Sequence, residues 1–247
     1  TGMMAEGSSG KGRLPEPVAI VEAALEILQP KRDLEGLKVL VTAGPTREAI
    51  DPVRYISNHS SGKMGYAIAE AAIARGAEVL LISGPVSIEK PGGVDFIGVT
   101  TAEEMYRAVM EHYKDYNVAI MVAAVADYRP CETSAVKIKK NDNELVLRLE
   151  KNKDIAGELG KIKGNMILAG FCAETNDLLE NARKKIEEKN LDLILANDVT
   201  MEGAGFGTDT NIIKIVRKDG TVKDLPLMSK LSAAHMILDE IAALCNR

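Results

Sequence analysis

At 247 residues, the chain is long enough for one large α/β domain with a hydrophobic core or for two small domains. Hydrophobic residues are 46% and charged residues 27% of the sequence, a balance that excludes wholesale disorder. The formal net charge of -5 excludes a general attraction to nucleic acid or anionic membranes, so any phosphate site has to be a local basic cluster.

The start of the chain has the composition of a flexible linker, with glycine and serine prominent in residues 7–12. Pro17 then opens an apolar pattern at helical spacing, and Pro30 ends it. We therefore predict a linker with a leading helix in residues 1–36, followed by the main domain in residues 37–247.

From Leu37 onward, short apolar runs alternate with helical patterns. Because apolar strands separated by helices are typical of a parallel sheet covered on both faces, the predicted class is α/β. The specific prediction is a doubly wound, mostly parallel Rossmann-like sheet with helices on both faces and added β-hairpins. The elements predicted in the first half are strands at 38–42, 78–83, 94–99 and 118–124, and helices at 62–75 and 102–113, the second capped by Thr101.

After Asp127 the pattern changes. Residues 136–140 and 144–149 alternate polar and apolar side chains around Asn-Asp-Asn at 141–143, which predicts a β-hairpin. The remaining predicted elements are a strand at 166–171, a helix at 178–189, a strand at 193–196, a second hairpin at 211–216 and 221–225, and a C-terminal amphipathic helix at 230–244.

The long loop after the first strand is the most informative segment. In doubly wound sheets, ligands bind at the carboxyl ends of the strands, where this loop lies. Ser60, Ser61 and Gly62 open a helix, so their backbone N–H groups and the helix dipole favour a phosphate. An ordinary serine N-cap explains the same residues equally well when they are considered alone.

Two common phosphate motifs do not fit this loop. A P-loop requires glycine where Ser57 stands and serine or threonine where Met64 stands. A dinucleotide fingerprint requires a tight glycine-rich turn and an acidic residue ending the second strand, whereas this loop has about twenty residues and the second strand ends in Ser-Gly-Pro at 83–85. A nicotinamide-dependent dehydrogenase is therefore disfavoured.

The cysteines and histidines point to neither disulfides nor zinc. Cys131, Cys172 and Cys245 are scattered and form no C-x-x-C pair, which suits a reducing compartment. The histidines are equally isolated. The longest apolar runs are too short to span a bilayer and no signal peptide opens the chain, so we expect a cytoplasmic protein.

Residues 51–65, DPVRYISNHSSGKMG, resemble the signature loop of phosphopantothenate–cysteine ligases. Four further segments resemble other motifs of that family and occur in the same order: AAVADY at 123–128, KIKK at 137–140, GFCAET at 170–175 and ANDV at 196–199. The resemblance implies that CTP activates 4'-phosphopantothenate as an acyl-cytidylate, with release of pyrophosphate. The amine of L-cysteine then displaces CMP, in a step of coenzyme A biosynthesis.

The resemblance also implies two catalytic residues. Lys137 would act in forming the acyl-nucleotide from a mobile strap, and Asn58 would hold this intermediate for attack by cysteine. Apart from the resemblance, Lys137 is typical of a lysine that protects a solvated hairpin edge. Asn58 is likewise typical of an asparagine that satisfies its own turn.

Several further residues are implied to bind the nucleotide. Asp127 can accept hydrogen bonds from the base or ribose, and Phe171 offers a flat wall for the base, although it also suits plain core. Lys185 and Lys189 share one helix face and can reach one triphosphate, although a solvated face paired with nearby glutamates is equally ordinary. The predicted nucleotide-binding set is Gly44, Ser60, Ser61, Gly62, Met121, Asp127, Lys137, Lys153, Asp154, Ile155, Ala156, Phe171, Lys185 and Lys189. The predicted phosphopantothenate-binding set is Arg54, Asn58 and Ala123.

Magnesium is implied by the triphosphate, without identifiable protein ligands. FMN is implied only where a flavin-dependent decarboxylase domain precedes the ligase in the full-length protein, and residues 7–28 resemble the end of such a domain. The family further implies a homodimer, with no nucleic-acid or membrane partner. The side chains do not indicate whether CTP or ATP is preferred.

Two other hypotheses about the function stay open: a nucleotide-sugar or nicotinamide enzyme on a similar sheet, and a non-catalytic nucleotide-binding module.

Overall fold

The computed structural model describes residues 2–3, 9–10, 17, 31–139, 144–174, 176–198, 200–201, 205 and 207–245. The chain divides into two compact units, Thr1–Arg32 and Asp33–Arg247. In the first unit, strand β1 (Gly2–Met3) pairs antiparallel with strand β2 (Ser9–Gly10). The leading helix predicted after Pro17 lies outside the described residues.

The second unit alternates strands and helices, as the sequence predicts. Its strands are β3 (Lys38–Ala43), β4 (Arg47–Ala49), β5 (Tyr55–Ser57), β6 (Glu78–Ser83), β7 (Asp95–Gly98), β8 (Val118–Met121), β9 (Tyr128–Pro130), β10 (Leu149–Lys151), β11 (Ile167–Glu174), β12 (Leu193–Asp198), β13 (Thr210–Arg217) and β14 (Val222–Ser229). Its helices are α1 (Lys63–Ala74), α2 (Ala102–His112), α3 (Ile155–Ile162), α4 (Leu178–Glu188) and α5 (Lys230–Cys245), with a 3-10 turn at Tyr113–Asp115.

One eight-stranded sheet organises this unit, in the order β14-β13-β12-β11-β8-β3-β6-β7. The six strands from β12 to β7 are parallel, and the hairpin β13–β14 adds two antiparallel strands at the β12 edge. This confirms the predicted doubly wound, mostly parallel fold and the second hairpin. The chain moves outward from β3 to β6 and β7, then returns to β8 on the other side of β3. The carboxyl ends of β3 and β8 therefore flank the switch point where such sheets bind ligands.

The sheet separates two hydrophobic cores because side chains alternate between its faces. Val39 and Val41 contribute to the core under α1 and α5, and Leu40 contributes to the core under α2, α3 and α4. Helix α2 begins where predicted, since the Thr101 hydroxyl accepts from the Glu104 N–H while the Glu104 carboxylate accepts from the Thr101 N–H.

The hairpin predicted within residues 136–149 is wrong. Its described flanks, 136–139 and 144–148, form no strand, and the turn at 141–143 lies outside the described residues. Instead, β9 pairs antiparallel with β10. The alternating pattern finds no core to cover, because Val136 is 72% and Val146 78% exposed. A two-stranded ribbon without a buried face is at best marginally stable, which explains the failure of the pattern.

Candidate active site

A cavity of about 670 Å³ lies at the carboxyl ends of β3, β8, β11 and β12. Its volume is within the range typical of small-molecule sites. Most predicted site residues line it: Asn58, Ser60, Ser61, Gly62, Met121, Ala123, Asp127, Lys153, Asp154, Ile155, Ala156, Phe171, Lys185 and Lys189.

Two buried threonines hold the chain that follows β8, and Thr42 also lines the cavity. The Thr42 hydroxyl accepts hydrogen bonds from the N–H groups of Val122, at 3.1 Å, and Ala123, at 3.2 Å. The Thr46 hydroxyl accepts one from the Ala126 N–H at 3.0 Å. These bonds draw the chain after β8 away from the strand ladder, so β8 ends at Met121 rather than at residue 124 as predicted. Neither threonine was predicted from the sequence, although Thr42 lies at the end of the first predicted strand, which was the available signal.

Two glycines bring the start of α1 to the end of β3. Gly44 and Gly62 have φ angles of 72° and 80°, which other residues rarely adopt. A Cβ atom on Gly62 would lie 2.7 Å from Cγ1 of Val86, and one on Gly44 would lie 2.9 Å from the same atom. Glycine is therefore required at both positions, for backbone conformation and for space.

Helix α1 begins at Lys63 with Gly62 as its N-cap, and no described side chain caps it. Its first turn contains no acidic residue, and the Ser60 hydroxyl accepts from the Gly62 N–H at 3.3 Å. Uncapped N–H groups at a helix start are suited to an anion. The sequence prediction of an anion-favouring helix start at Ser60, Ser61 and Gly62 therefore has the geometry it requires.

Asn58 is fixed beside the loop that follows β8. Its side-chain N–H donates to the Ala124 carbonyl at 2.8 Å, and the Ala124 N–H donates to the Gly44 carbonyl at 2.9 Å. The Asn58 amide is exposed on the cavity wall near Ala123. This position suits a neutral group that contacts a bound carbonyl or phosphoryl oxygen.

The lysines predicted on the opposite wall are held by carboxylates. Lys189 lies 2.9 Å from the Asp154 carboxylate, and Lys185 pairs with Glu174. The ordinary alternative, pairing with Glu187 or Glu188, does not describe either residue. It describes Lys184, whose ammonium lies 3.8 Å from Glu188 on the solvated face of α4.

Helix α3 begins at the same wall. The Asp154 carboxylate accepts from the Gly157 N–H at 3.1 Å and so caps the helix. Lys153 lies 3.0 Å from Glu103 and stacks 4.2 Å from the Tyr106 ring centre. The hydrogen bond from Lys153 lowers the pKa of the Glu103 carboxyl below its usual value. The start of the segment 153–156 is thus anchored by Lys153 and Asp154.

Phe171 and Cys172 present neighbouring parts of β11 to the cavity. Phe171 is half-buried and also packs against the core under α1. It therefore lines the cavity and belongs to the edge of the core at the same time. Burial raises the pKa of Cys172 to about 11, which keeps it a neutral thiol at physiological pH. It therefore lacks the properties of a nucleophile, in agreement with its interpretation as a packing residue.

Three predicted residues lie outside the cavity lining: Gly44, Arg54 and Lys137. The Arg54 guanidinium donates two hydrogen bonds to Oδ2 of Asp51, from Nη2 at 2.5 Å and from Nε at 3.0 Å, and a third to the Ile138 carbonyl at 3.1 Å. Asp51 accepts from the Ile138 N–H at 3.1 Å, and the Arg54 guanidinium holds the pKa of this carboxyl well below its usual range. Lys137 is exposed, one residue from this anchor. Its catalytic role stays a prediction, as do the roles of the other site residues.

The described residues contain no group of three or more His, Cys, Asp or Glu side chains that could hold a metal ion. No helix that they form combines the length and apolar character needed to cross a membrane.

Comparison with known proteins gives consistent matches. The family model described as "DNA/pantothenate metabolism flavoprotein C-terminal domain" matches residues 34–244. The chain is 52% identical, over 249 residues, to the coenzyme A biosynthesis bifunctional protein CoaBC of Bacillus subtilis (strain 168). The alignment covers 100% of this chain and 61% of that protein, so the chain spans about three fifths of its length.

Solved structures with the same fold include a crystal structure of the C-terminal domain of coenzyme A biosynthesis bifunctional protein CoaBC. It matches with a TM-score of 0.76 and 44% identity, covering 87% of this chain and 99% of that one. A Cab2 mutant in complex with phosphopantothenate-cysteine matches with a TM-score of 0.70, covering 93% of this chain and 94% of that one. Its identity of 18% supports similarity of fold alone.

Proposed function

The chain belongs to the family of DNA/pantothenate metabolism flavoprotein C-terminal domains, and on this basis we propose that it is a CTP-dependent phosphopantothenate–cysteine ligase of coenzyme A biosynthesis. The observation that carries the proposal is the charge of the cavity. Its described lining contains six lysines and two aspartates, although the whole chain is acidic. Such a site favours a polyphosphate far more than the protein surface as a whole does.

The proposed first step joins a carboxylate to a nucleotide. A carboxylate oxygen of 4'-phosphopantothenate attacks the α-phosphorus of CTP. The bond from that phosphorus to the bridging oxygen breaks, and pyrophosphate leaves with the electron pair. Negative charge builds on the leaving group, so fixed cations and helix N–H groups are the residues that lower the barrier.

The proposed second step forms the amide. The amine of L-cysteine attacks the carbonyl carbon of the acyl-cytidylate and loses a proton, and CMP leaves with the electrons of its acyl bond. Asn58, which lies near Ala123 on the cavity wall, can orient the carbonyl or phosphoryl oxygen without adding a repelling charge. Positioning of this kind supplies a large part of the rate in reactions between two bound groups.

The residues that line the cavity or lie beside it support the predicted binding roles. Phe171, Met121 and Asp127 would contact the nucleoside, together with the segment 153–156. Lys137 would approach from the strap that Asp51 and Arg54 anchor at Ile138. Arg54 would contact phosphopantothenate only with the part of its side chain left exposed beside Asp51, which is 41%.

A magnesium ion fits this donor set. It usually binds through phosphate oxygens, waters and one or two carboxylates, so it needs no cluster of protein ligands. Asp127 is an exposed carboxylate in the lining, whereas Asp154 is already engaged by Lys189 and the Gly157 N–H. When bound, magnesium would neutralise charge on the triphosphate.

A homodimer is supported by apolar side chains exposed beside the site. Val53 and Tyr55 on the β4–β5 segment are 58% and 50% exposed, and Tyr128 and Leu149 on β9–β10 are 47% and 45% exposed. Exposed apolar patches of this kind commonly mark protein interfaces. FMN would be bound only if a decarboxylase domain precedes this one in the full-length protein, an arrangement in keeping with relatives that are named bifunctional.

The test is pyrophosphate release by the purified chain given CTP, 4'-phosphopantothenate, L-cysteine and magnesium chloride. We expect release that depends on phosphopantothenate, an acyl-cytidylate when cysteine is omitted, and less activity with ATP. CTP binding without pyrophosphate release would refute the proposal and favour a non-catalytic binding module. A fluorescent or coloured bound nicotinamide cofactor would favour the alternative enzyme class.

A matched pair of variants tests the lysine wall. Lys185→Gln removes a cation in the lining, and we expect it to weaken CTP binding by roughly tenfold. Lys184→Gln removes the neighbouring surface lysine, which pairs with Glu188, and we expect no change. Equal effects of the two substitutions would contradict the proposed role of Lys185.

A further inference from the structure

Two lysines that the sequence analysis did not single out line the same cavity: Lys63 and Lys230. They are the first residues of α1 and α5, the two helices that cover one face of the sheet. Both helices therefore direct the positive end of their dipoles towards the cavity. Lys153, Lys185 and Lys189 belong to segments next to or within the helices of the opposite face, so the cavity carries two separate groups of cations.

Lys230 is an unusual lysine because it is only 6% exposed. Its ammonium donates to the Thr208 carbonyl and, at 3.4 Å, to the Gly205 carbonyl. Within the described part of the chain, no carboxylate forms an ion pair with it. Carbonyl oxygens satisfy its hydrogen bonds but do not neutralise its charge. Among the described residues, the carboxylate that offsets this charge is that of Asp209, which already pairs with Lys63.

Lys63 is only partly compensated. Its ammonium lies 2.6 Å from the Asp209 carboxylate and 3.0 Å from the Gly207 carbonyl, but the Asp209 side chain is 88% exposed. Counted over the described residues, Lys63, Asp209 and Lys230 together carry one net positive charge at this end of the cavity. Burial, and then the charge of Lys63, lower the pKa of Lys230 below its usual value.

Neutral amides complete this end. Asn197 and Asn211 are 3% and 2% exposed, and both line the cavity beside the two lysines. Amide groups can donate to anionic oxygens without adding charge. A buried cation, a second cation, the N-termini of two helices and two amides therefore line one cavity, an environment that suits a phosphoanhydride oxygen.

Building on the proposed ligase function, we propose that Lys63 and Lys230 form a subsite for the terminal phosphates of the nucleotide and for the pyrophosphate that leaves. When the bond between the α-phosphorus and the bridging oxygen breaks, the electron pair moves to the pyrophosphate. The charge gained there is matched by the two lysines. Lys185 and Lys189, which were predicted to reach the triphosphate, would then contact the part of it next to the nucleoside.

The test is calorimetric titration of the full chain with three probes: inorganic pyrophosphate, CMP and 4'-phosphopantothenate. We expect Lys63→Met and Lys230→Met each to weaken pyrophosphate binding by about tenfold or more, since each removes a charge-assisted hydrogen-bond donor. CMP and phosphopantothenate should bind as they do to the unaltered chain. Lys161→Met is the matched control, because Lys161 pairs with Glu158 outside the cavity lining.

Asp209→Asn supplies a change of opposite sign. It removes the carboxylate that competes for Lys63, so it should tighten pyrophosphate binding. The exposure of Asp209 makes misfolding of this variant a minor concern, and the partly exposed Lys63 provides a second test where Lys230→Met fails to fold.

Unchanged pyrophosphate affinity in the two lysine variants would overturn the subsite. Equal losses of affinity for pyrophosphate and CMP would also overturn it. A loss of affinity for phosphopantothenate alone would overturn it as well, because the lysines would then bind the other phosphate-bearing substrate. The subsite and the ligase function fail separately. Lysine-dependent pyrophosphate binding in a chain without ligase activity refutes only the function, and activity with lysine-independent pyrophosphate binding refutes only the subsite.

Discussion

Gly62→Ala tests whether the geometry at the start of α1 is as tight as the structure indicates. The backbone at Gly62 has a φ of 80°, and a left-handed conformation costs a residue with a Cβ atom about 1–2 kcal/mol. The added Cβ would also lie 2.7 Å from Cγ1 of Val86, a contact that only a shift of the surrounding structure can relieve. Overpacking of this kind costs about 1–3 kcal/mol, so we expect a total loss of about 2–5 kcal/mol.

Gly36→Ala is the matched control for this substitution. Gly36 has a φ of 78°, but a Cβ atom there would meet nothing within 4 Å. Gly36→Ala should therefore lower the free energy of unfolding only by the cost of the left-handed backbone conformation, about 1–2 kcal/mol, and should leave activity unchanged. The double variant Gly62→Ala/Val86→Ala lacks the steric clash but keeps the backbone strain. We expect its loss of unfolding free energy to be about 1–3 kcal/mol smaller than the sum of the losses in the two single variants.

The four variants are Gly62→Ala, Gly36→Ala, Val86→Ala and the double variant Gly62→Ala/Val86→Ala. The assays are urea unfolding and pyrophosphate release at saturating substrate concentrations. We expect Gly62→Ala to reduce activity, because the displaced helix start no longer meets the cavity at the same position. Equal destabilisation by Gly62→Ala and Gly36→Ala would refute the steric reasoning. Failure of Val86→Ala to interact energetically with Gly62→Ala would refute it independently.

Three further predictions follow from the site. Asn58→Asp should slow product formation and let the acyl-cytidylate accumulate, since a carboxylate repels phosphate; normal turnover would exclude the proposed role. The Arg54 guanidinium lowers the pKa of Asp51 below its usual 3.8, so the Asp51 carboxylate stabilises the fold fully above that pH. The free energy of unfolding of the unaltered chain should therefore exceed that of Asp51→Asn at neutral pH, and the difference should shrink as the pH falls through the folded-state pKa. A difference in urea unfolding that does not change with pH would contradict this. Iodoacetamide at pH 8 should alkylate exposed Cys131 but not Cys172, whose pKa burial raises to about 11; mass spectrometry of the native protein would detect any modification of Cys172.

The sequence was sufficient for features that depend on neighbouring residues. Strand β6 spans the predicted residues 78–83, and α2 begins at the cap expected from Thr101. Helix caps, strand periodicity and glycine turns are local properties, and the residues that produce them lie within a few positions of one another. The loop at 51–65 could be assigned by the same kind of information, because its motif is contiguous.

The sequence failed where a pattern had no partner to pack against. Residues 136–149 alternate as a hairpin should, yet the described flanks form no strand in the single chain. Alternation describes which side chains could share a face, but a buried surface has to be present before that face is stabilised. Exposed Val136 and Val146 show that this chain alone does not provide it.

The amino-acid sequence by itself determined the α/β class, the alternation of the main sheet strands with helices and the loop that points to phosphate chemistry. The tertiary structure alone decided which distant groups meet. Thr42 reaches the backbone of Ala123, and Lys63 reaches Asp209 beside Lys230. Contacts between residues 80 or more positions apart depend on strand order and helix packing, and no local periodicity encodes them.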